Sequence, residues 1–315
     1  MPLISICITC FNAEDTIERA IDSAVSQDWK NFEILLVDDG STDDSLKIIK
    51  KKLIEYPFIR LIKNYNNYGC AYSRNILVDA AKGEFIVFFD DDDVSRYDRL
   101  SLQYNKIINY EREKNTQSIC CYASGGKLYP NGYVKSFQAV GTKHHLPTGF
   151  EMADYLLFAK RLPDIFYGSG APTCSLMLRK TVFEEIGKFD IKLNRQEDID
   201  FAIRFGLGGG FFTGIPDPVL TQYSTNDHNK KSAKIEFEST IRLIEKNRNY
   251  ILSKDSYYYI RLWTEMRYRH FANQDIRAFL ILIRLTLSYP MRTIRHFAVS
   301  ATRRFIHEKR MNRNG

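Results

Sequence analysis

Four consecutive carboxylates, Asp90, Asp91, Asp92 and Asp93, follow directly on the apolar run Phe85-Ile86-Val87-Phe88-Phe89. Four like charges in a row repel one another. A hard divalent cation such as Mn²⁺ or Mg²⁺ takes oxygen ligands and neutralises such a cluster. The apolar run suits a strand buried on both faces, as in a parallel sheet. Ligands of open α/β sheets bind at the carboxyl ends of strands. The first expectation is therefore a metal-assisted phosphate site at the end of a central strand, with a solvated acidic turn as the plain alternative. Two further carboxylate groups end or open elements: Asp38-Asp39 after the run 33–37, and Glu197, Asp198 and Asp200 at the head of a helical pattern.

The elements around these residues alternate. Residues 4–9 read as a strand, and Ile17, Ala20, Ile21, Ala24 and Val25 have helical spacing. Residues 33–37 and 58–62 read as strands, with Gly40 permitting a tight turn. Ser41 and Asp44 resemble a capping box that opens a helix to residue 55. A helix over 71–81 precedes the strand that ends in the four acids. This β-α-β-α-β-α-β order predicts a mostly parallel, Rossmann-like sheet flanked by helices. Further on, helices are expected over 96–114, 150–160, 181–186 and 196–207. Strands are expected over 119–124, 173–178 and 219–223, with a loop or hairpin over 125–147. From residue 232 the pattern is helical and increasingly basic.

The 315 residues suffice for one large domain with an appendage, and the expected division is a catalytic domain over 1–230 and a basic helical extension over 231–315. The N-terminal run 3–8 reads as a strand and lacks the basic start of a leader. No segment has the uninterrupted apolar length of a membrane span; the nearest, 278–291, is broken by Arg284. Six cysteines without a leader are expected to be reduced core thiols in the cytoplasm. Cys7 and Cys10, three apart on a strand, should face opposite sides rather than share a metal. Trp29 and Trp263 read as packing residues. The net charge is +7, and residues 284–313, with eight Lys/Arg and one acid, account for all of it. A neutral body with a basic tail points to an anionic surface rather than to nucleic acid.

Taken together, the motifs resemble the family 2 glycosyltransferases, which have the GT-A fold. The resemblance covers roughly residues 2–225. It rests on Ile6-Cys-Ile-Thr9-Cys-Phe-Asn12, Val37-Asp-Asp39-Gly-Ser-Thr-Asp43, Gly69 with Ser73-Arg74-Asn75, and Ala81-Lys-Gly83-Glu. It continues with Phe89-Asp90-Asp-Asp92-Asp, Asp98-Arg-Leu100, Ile186-Gly-Lys-Phe-Asp190 and Glu197-Asp198. It implies an inverting enzyme that moves a sugar from a nucleoside-diphosphate sugar, most simply a UDP-sugar, to a glycan or lipid-linked saccharide. Bacterial surface polysaccharide synthesis is the expected setting.

By resemblance, Asp90 contacts the ribose and Asp92 ligates the metal. Asp91, an acid at the variable place of the Asp-x-Asp pattern, leaves the pair ambiguous by one residue, and Asp93 stands behind. Thr9, Asn12 and Asp39 match nucleoside-binding positions; a carboxylate at Asp39 accepts from uracil N3–H, although guanine offers a similar donor. Arg74 and Asn75, at a helix start after a glycine loop, are placed to meet the diphosphate or to tie loop to sheet. Asp198 is the expected general base, beside Glu197, and inversion needs no second carboxylate as nucleophile. His228 follows the last expected strand, as a metal ligand or an exposed loop residue.

In the tail, Ile294, Phe297, Ala298, Ala301 and Phe305 form an apolar stripe beside Arg295, Arg303 and Arg304. This fits a helix lying in a membrane interface, with Tyr257–Tyr259, Trp263 and Tyr268 at headgroup level, at the cytoplasmic face of an inner membrane. Packing on the catalytic domain is the alternative. Two other functions compete. A sugar-nucleotide nucleotidyltransferase normally carries a glycine-rich loop after its first strand, and Thr9-Cys-Phe-Asn12 has no glycine. An inactive sugar-nucleotide-binding scaffold would not need the intact Asp-x-Asp and Glu-Asp pairs.

Overall fold

The computed structural model describes residues 1–143, 145–224, 233–294 and 296–297. Strand and helix alternate as expected: β1 (Ile4–Cys10), α1 (Ile17–Val25), β2 (Phe32–Asp38), α2 (Ser45–Glu55), β3 (Ile59–Lys63), α3 (Cys70–Ala80) and β4 (Phe85–Asp90). The four strands are parallel in the order β3-β2-β1-β4. Helices cover both faces, which is why the strands are continuously apolar. Cys7 packs in one core cluster with Leu35 and Phe88, and Cys10 in the other with Ile8 and Leu36. The two thiols thus face opposite sides, and all six cysteines are unpaired.

Beyond β4 the sheet becomes mixed. The chain continues as β5 (Val94–Ser95), α4 (Arg99–Lys114), β6 (Ile119–Leu128), β7 (Val134–Phe137), α5 (Phe150–Phe158), β8 (Leu176–Arg179), α6 (Thr181–Ile186), α7 (Glu197–Leu207) and β9 (Phe211–Tyr223). The sheet extends from β4 through β8, β6 and β9 to β5, with β7 hairpinned onto β6. β8 is antiparallel to both its neighbours, and β9 is parallel to β6.

Local pattern misplaced several boundaries. The last strand begins at Phe211 rather than at 219. It runs through Pro216 and Pro218 where the β6–β9 register shifts, so the prolines mark an irregularity within the strand. The segment 173–178 splits into a 3-10 turn, Thr173–Ser175, and β8. The capping box does not form. The Ser41 N–H donates to Asp38 Oδ1 (3.2 Å), its hydroxyl accepts from the Asn12 N–H (3.1 Å), and α2 starts only at Ser45. Gly40 has φ +76°, and a Cβ there would lie 2.6 Å from the backbone of Asn66.

The C-terminal helices are α8 (Ala233–Lys246), α9 (Arg248–Ser253), α10 (Tyr257–Phe271) and α11 (Asp275–Ser288). Leu243 of α8 packs with Ala153 of α5 and Ile203 of α7. A further cluster joins Ile244, Tyr257, Tyr259, Trp263 and Leu285 to Leu157 and Phe158. Tyr257, Tyr259 and Trp263 are therefore interior, and Tyr268 stacks on Phe237 at 4.5 Å. This corrects the expected headgroup-level position for Tyr257, Tyr259 and Trp263, whereas Tyr258 is exposed. Of the expected apolar stripe only Ile294 and Phe297 fall within the described residues, and both are exposed. No described helix is long and apolar enough to cross a membrane.

Candidate active site

A cavity of about 530 Å³ opens at the carboxyl ends of β1, β2 and β4, lined by Thr9, Asp39, Arg74, the four acids 90–93, Glu197 and Asp198 among others. Parallel strands all end on this side, so residues far apart in sequence converge there. The acidic run is clamped as it leaves β4. One residue after Asp93, β5 pairs antiparallel with β9, Val94 opposite Thr221 and Ser95 opposite Leu220. The next residue of β9, Gln222, then donates from Nε2 to Asp93 Oδ2 at 3.3 Å. Asp91 Oδ2 accepts from the Phe11 N–H (3.0 Å), and the Asp92 carbonyl accepts from Arg19 (3.1 Å).

Beneath the run lies Arg99, fully buried. It donates to Gln103, to Ser95, and to the carbonyls of Phe88 and Cys174, all within 3.0 Å. Burial lowers its pKa to about 10. Asp93 shows the cost of packing acids together. Burial first, then the charges of Asp90 and Asp92, push its carboxyl up to about 8. Asp90, Asp93 and Cys174 each offer a ligand atom within 4.8 Å of the others. The Cys174 thiol, raised well above its usual range by burial, stays protonated and is a poor partner for a hard ion. The oxygens of Asp90 and Asp92, both partly exposed to the cavity, fit Mn²⁺ or Mg²⁺ better.

Arg74 joins the two acidic groups. Buried on α3, it donates to Glu197 Oε1 at 2.8 Å and reaches Asp90 Oδ1 at 3.5 Å. Burial works against its charge, yet Cys70, Glu197, Asp90 and Asp198 together hold its pKa above the usual arginine value. Asp198 sits at the first turn of α7. Burial, and next the charge of Glu197, raise its carboxyl to about 6, with Arg74 pulling the other way. Such a group is ionised at neutral pH and basic enough to take a proton.

The region matching glycosyl transferase family 2 spans residues 5–187, more than half of the chain. The chain belongs to that family. Among its relatives, an uncharacterised glycosyltransferase of Haemophilus influenzae is 40% identical over 108 residues, covering 34% of this chain and 43% of the relative. A UDP-Glc:α-D-GlcNAc-diphosphoundecaprenol β-1,3-glucosyltransferase of Escherichia coli is 32% identical over 203 residues, 64% of this chain and 69% of that one. The crystal structure of S. aureus TarS residues 1–349 with UDP-GlcNAc superposes with a TM-score of 0.56 at 19% identity, covering 86% of this chain and 74% of TarS. The same TarS fragment with UDP gives 0.54 at 20% identity. The protein is thus a family 2 glycosyltransferase with the GT-A fold.

Not every residue singled out in the sequence of this glycosyltransferase faces the cavity. The Asn12 side-chain oxygen accepts from the backbone and hydroxyl of Thr42, binding the β1 turn to the β2 turn. The Asn75 amide makes two 2.9 Å bonds with the backbone of Phe189, so it ties α3 to the turn before α7. Asp39 lines the cavity, but its carboxylate also accepts from Asn64 (2.7 Å) and from the N–H groups of Tyr68 and Gly69. Asp200, fully buried, pairs with Arg204 and Lys246 and faces away from the chemistry. His228 lies outside the described residues. Sequence reading missed Gln222, Lys127, Tyr223 and Arg195 on the cavity wall. Lys127, Gln222 and Tyr223 are placed by β6–β9 pairing, and Arg195 by the turn that leads into α7; neither leaves a local signal.

Proposed function

We propose that the protein transfers a sugar, with inversion, from a nucleoside-diphosphate sugar, in the first place a UDP-sugar, to a hydroxyl of a lipid-linked saccharide in bacterial surface polysaccharide synthesis. The observation that carries this is Asp198, a half-buried carboxylate raised to about 6, on the same cavity as the Asp90–Asp93 run and next to Glu197, which Arg74 ties to Asp90. UDP and UDP-GlcNAc in the TarS structures, and the lipid-diphosphate acceptor in the Escherichia coli relative's name, support the same reading.

In this reading Thr9 and Asp39 border the nucleoside and Asp90 the ribose. Asp90 and Asp92 would hold a divalent ion, which would supply charge stabilisation for the departing diphosphate. Arg74 keeps Glu197 and the head of α7 in place. Asp198 takes the acceptor's hydroxyl proton as the oxygen forms its bond to the anomeric carbon. The bond from that carbon to the donor's diphosphate breaks, and its electron pair leaves with the diphosphate. A base acting opposite the leaving group gives inversion.

Residues 1–230 carry catalysis in this scheme, and α8 of the extension braces α7. Gln196, just before it, donates to Glu236 and Thr240 of α8. Peripheral contact at the cytoplasmic face of a membrane is supported by α11. Its outer side exposes Ile276, Phe279, Leu280, Ile283 and Leu287 at helical spacing, near a strongly basic segment.

The test is a thermal-shift series with UDP, GDP, dTDP and CMP, each with Mn²⁺ and with EDTA. A shift with UDP that EDTA removes is expected, because a ligand that binds only the folded state raises its stability. The reading fails when no nucleotide shifts the transition.

A further inference from the structure

Asp198 borders a second cavity as well, of about 440 Å³, whose walls come from α5, the 169–172 turn and His296. Ala159, Arg161 and His296 are walls that this cavity shares with a third of about 440 Å³. The third cavity is lined by Lys160, Arg161, Lys254 and Arg292, with Asp154 as its acid. Lys160 is paired with Asp154 at 2.8 Å, and Asp154 also accepts from Tyr250 at 2.5 Å. Among the described residues the other three cations have no carboxylate partner. Arg161 donates to the Tyr155 hydroxyl and Arg292 to the Asp255 carbonyl, while Lys254 lies over the rings of Phe150 and Tyr250. The groove leading away from the base is therefore positive, and its guanidinium groups keep donors to spare.

We propose that this groove binds the acceptor as a sugar carried on a diphosphate, with the sugar's hydroxyl at Asp198 and the phosphates among Arg161, Lys254 and Arg292. Unpaired cations gathered in one cavity suit a multiply charged diphosphate better than a single carboxylate, and arginine forks match phosphate oxygens in two-point geometry. The order along the groove also fits. The space beside Asp198 takes the sugar of the acceptor, Arg161 stands where the two cavities share a wall, and Lys254 and Arg292 lie beyond it. The transfer itself is unchanged: Asp198 receives the hydroxyl proton, and the acceptor keeps its own diphosphate. The inference rests on the proposed function and names the acceptor class for that same site.

The test is calorimetric binding to the full chain in the presence of UDP and Mn²⁺. The probes are undecyl diphosphate-linked N-acetylglucosamine, the neutral undecyl glycoside of the same sugar, and inorganic diphosphate. The glycosyl diphosphate is expected to bind at least about tenfold tighter than the neutral glycoside, the scale of one good charge-assisted contact. Arg161→Gln with Arg292→Gln should erase that difference and leave the UDP-dependent thermal shift unchanged. Both side chains are exposed, so folding should survive, and Arg161→Lys with Arg292→Lys should restore part of the preference. Equal binding of the charged and neutral glycosides overturns the proposal. So does a preference that survives the double glutamine variant. Inorganic diphosphate binding as tightly as the glycosyl diphosphate also overturns it, by making the groove a free-anion site. Absence of a UDP shift in the unsubstituted protein sinks the donor reading instead, and this one with it.

Discussion

Two regions that meet at Asp198 carry opposite charge. On one side carboxylates gather, Asp39 and the run 90–93 at strand ends and Glu197 at the head of α7, with Arg74 as a cation between them. On the other, Lys160, Arg161, Lys254 and Arg292 gather around a single acid. The acidic side is built on the sheet, where strand ends are fixed by pairing on both flanks. The basic side is built from the exit of α5 and from the helices beyond residue 253, each held by packing on the catalytic core. The difference teaches a division of labour. Rigid strand ends hold like charges that need an external cation, while the peripheral helices present charges that need an external anion.

The largest effect should come from the residue the two regions share. Asp198→Asn is expected to lower kcat by about 10²–10⁴-fold, the usual worth of a positioned base, with the UDP shift retained. Parallel loss of nucleotide binding would mean that Asp198 belongs to the donor side alone. Next, Arg74→Leu leaves Glu197 and Asp90 without their buried cation and should cost about 3 kcal/mol in chemical unfolding. An unchanged midpoint would show that the acidic side needs no internal bridge.

Asp92→Ala should remove the Mn²⁺-dependent part of donor stabilisation, about 2.7 kcal/mol at a hundredfold excess over Kd. A persistent EDTA-sensitive shift would move the ion to Asp90 and Asp93. The smallest effect concerns pH. A base raised to about 6 must lose its proton to act, so kcat should fall below about pH 6. Glu197→Gln removes a charge that raises Asp198 and should move that limb to lower pH. A limb that stays put would separate Glu197 from the base electrostatically.

Much of this was legible in the chain. The alternation of strands and helices to β4, the opposed faces of Cys7 and Cys10, the acids at a strand end and the Glu197-Asp198 pair at a helix start are local patterns. Local periodicity and local repulsion determine them, so the sequence by itself decides them. Tertiary structure decided the rest. Asn75 is turned to Phe189, 114 positions away, and Gln222 to Asp93, 129 positions away. Tyr257, Tyr259 and Trp263 read equally well as interfacial or as core, and only packing with Leu157 and Phe158 settled them as core, while Tyr258 between them stays exposed. The basic groove is likewise assembled from α5's end and residues 254 and 292. Such contacts carry no periodic trace, because nothing in a segment's own spacing records which distant surface will cover it.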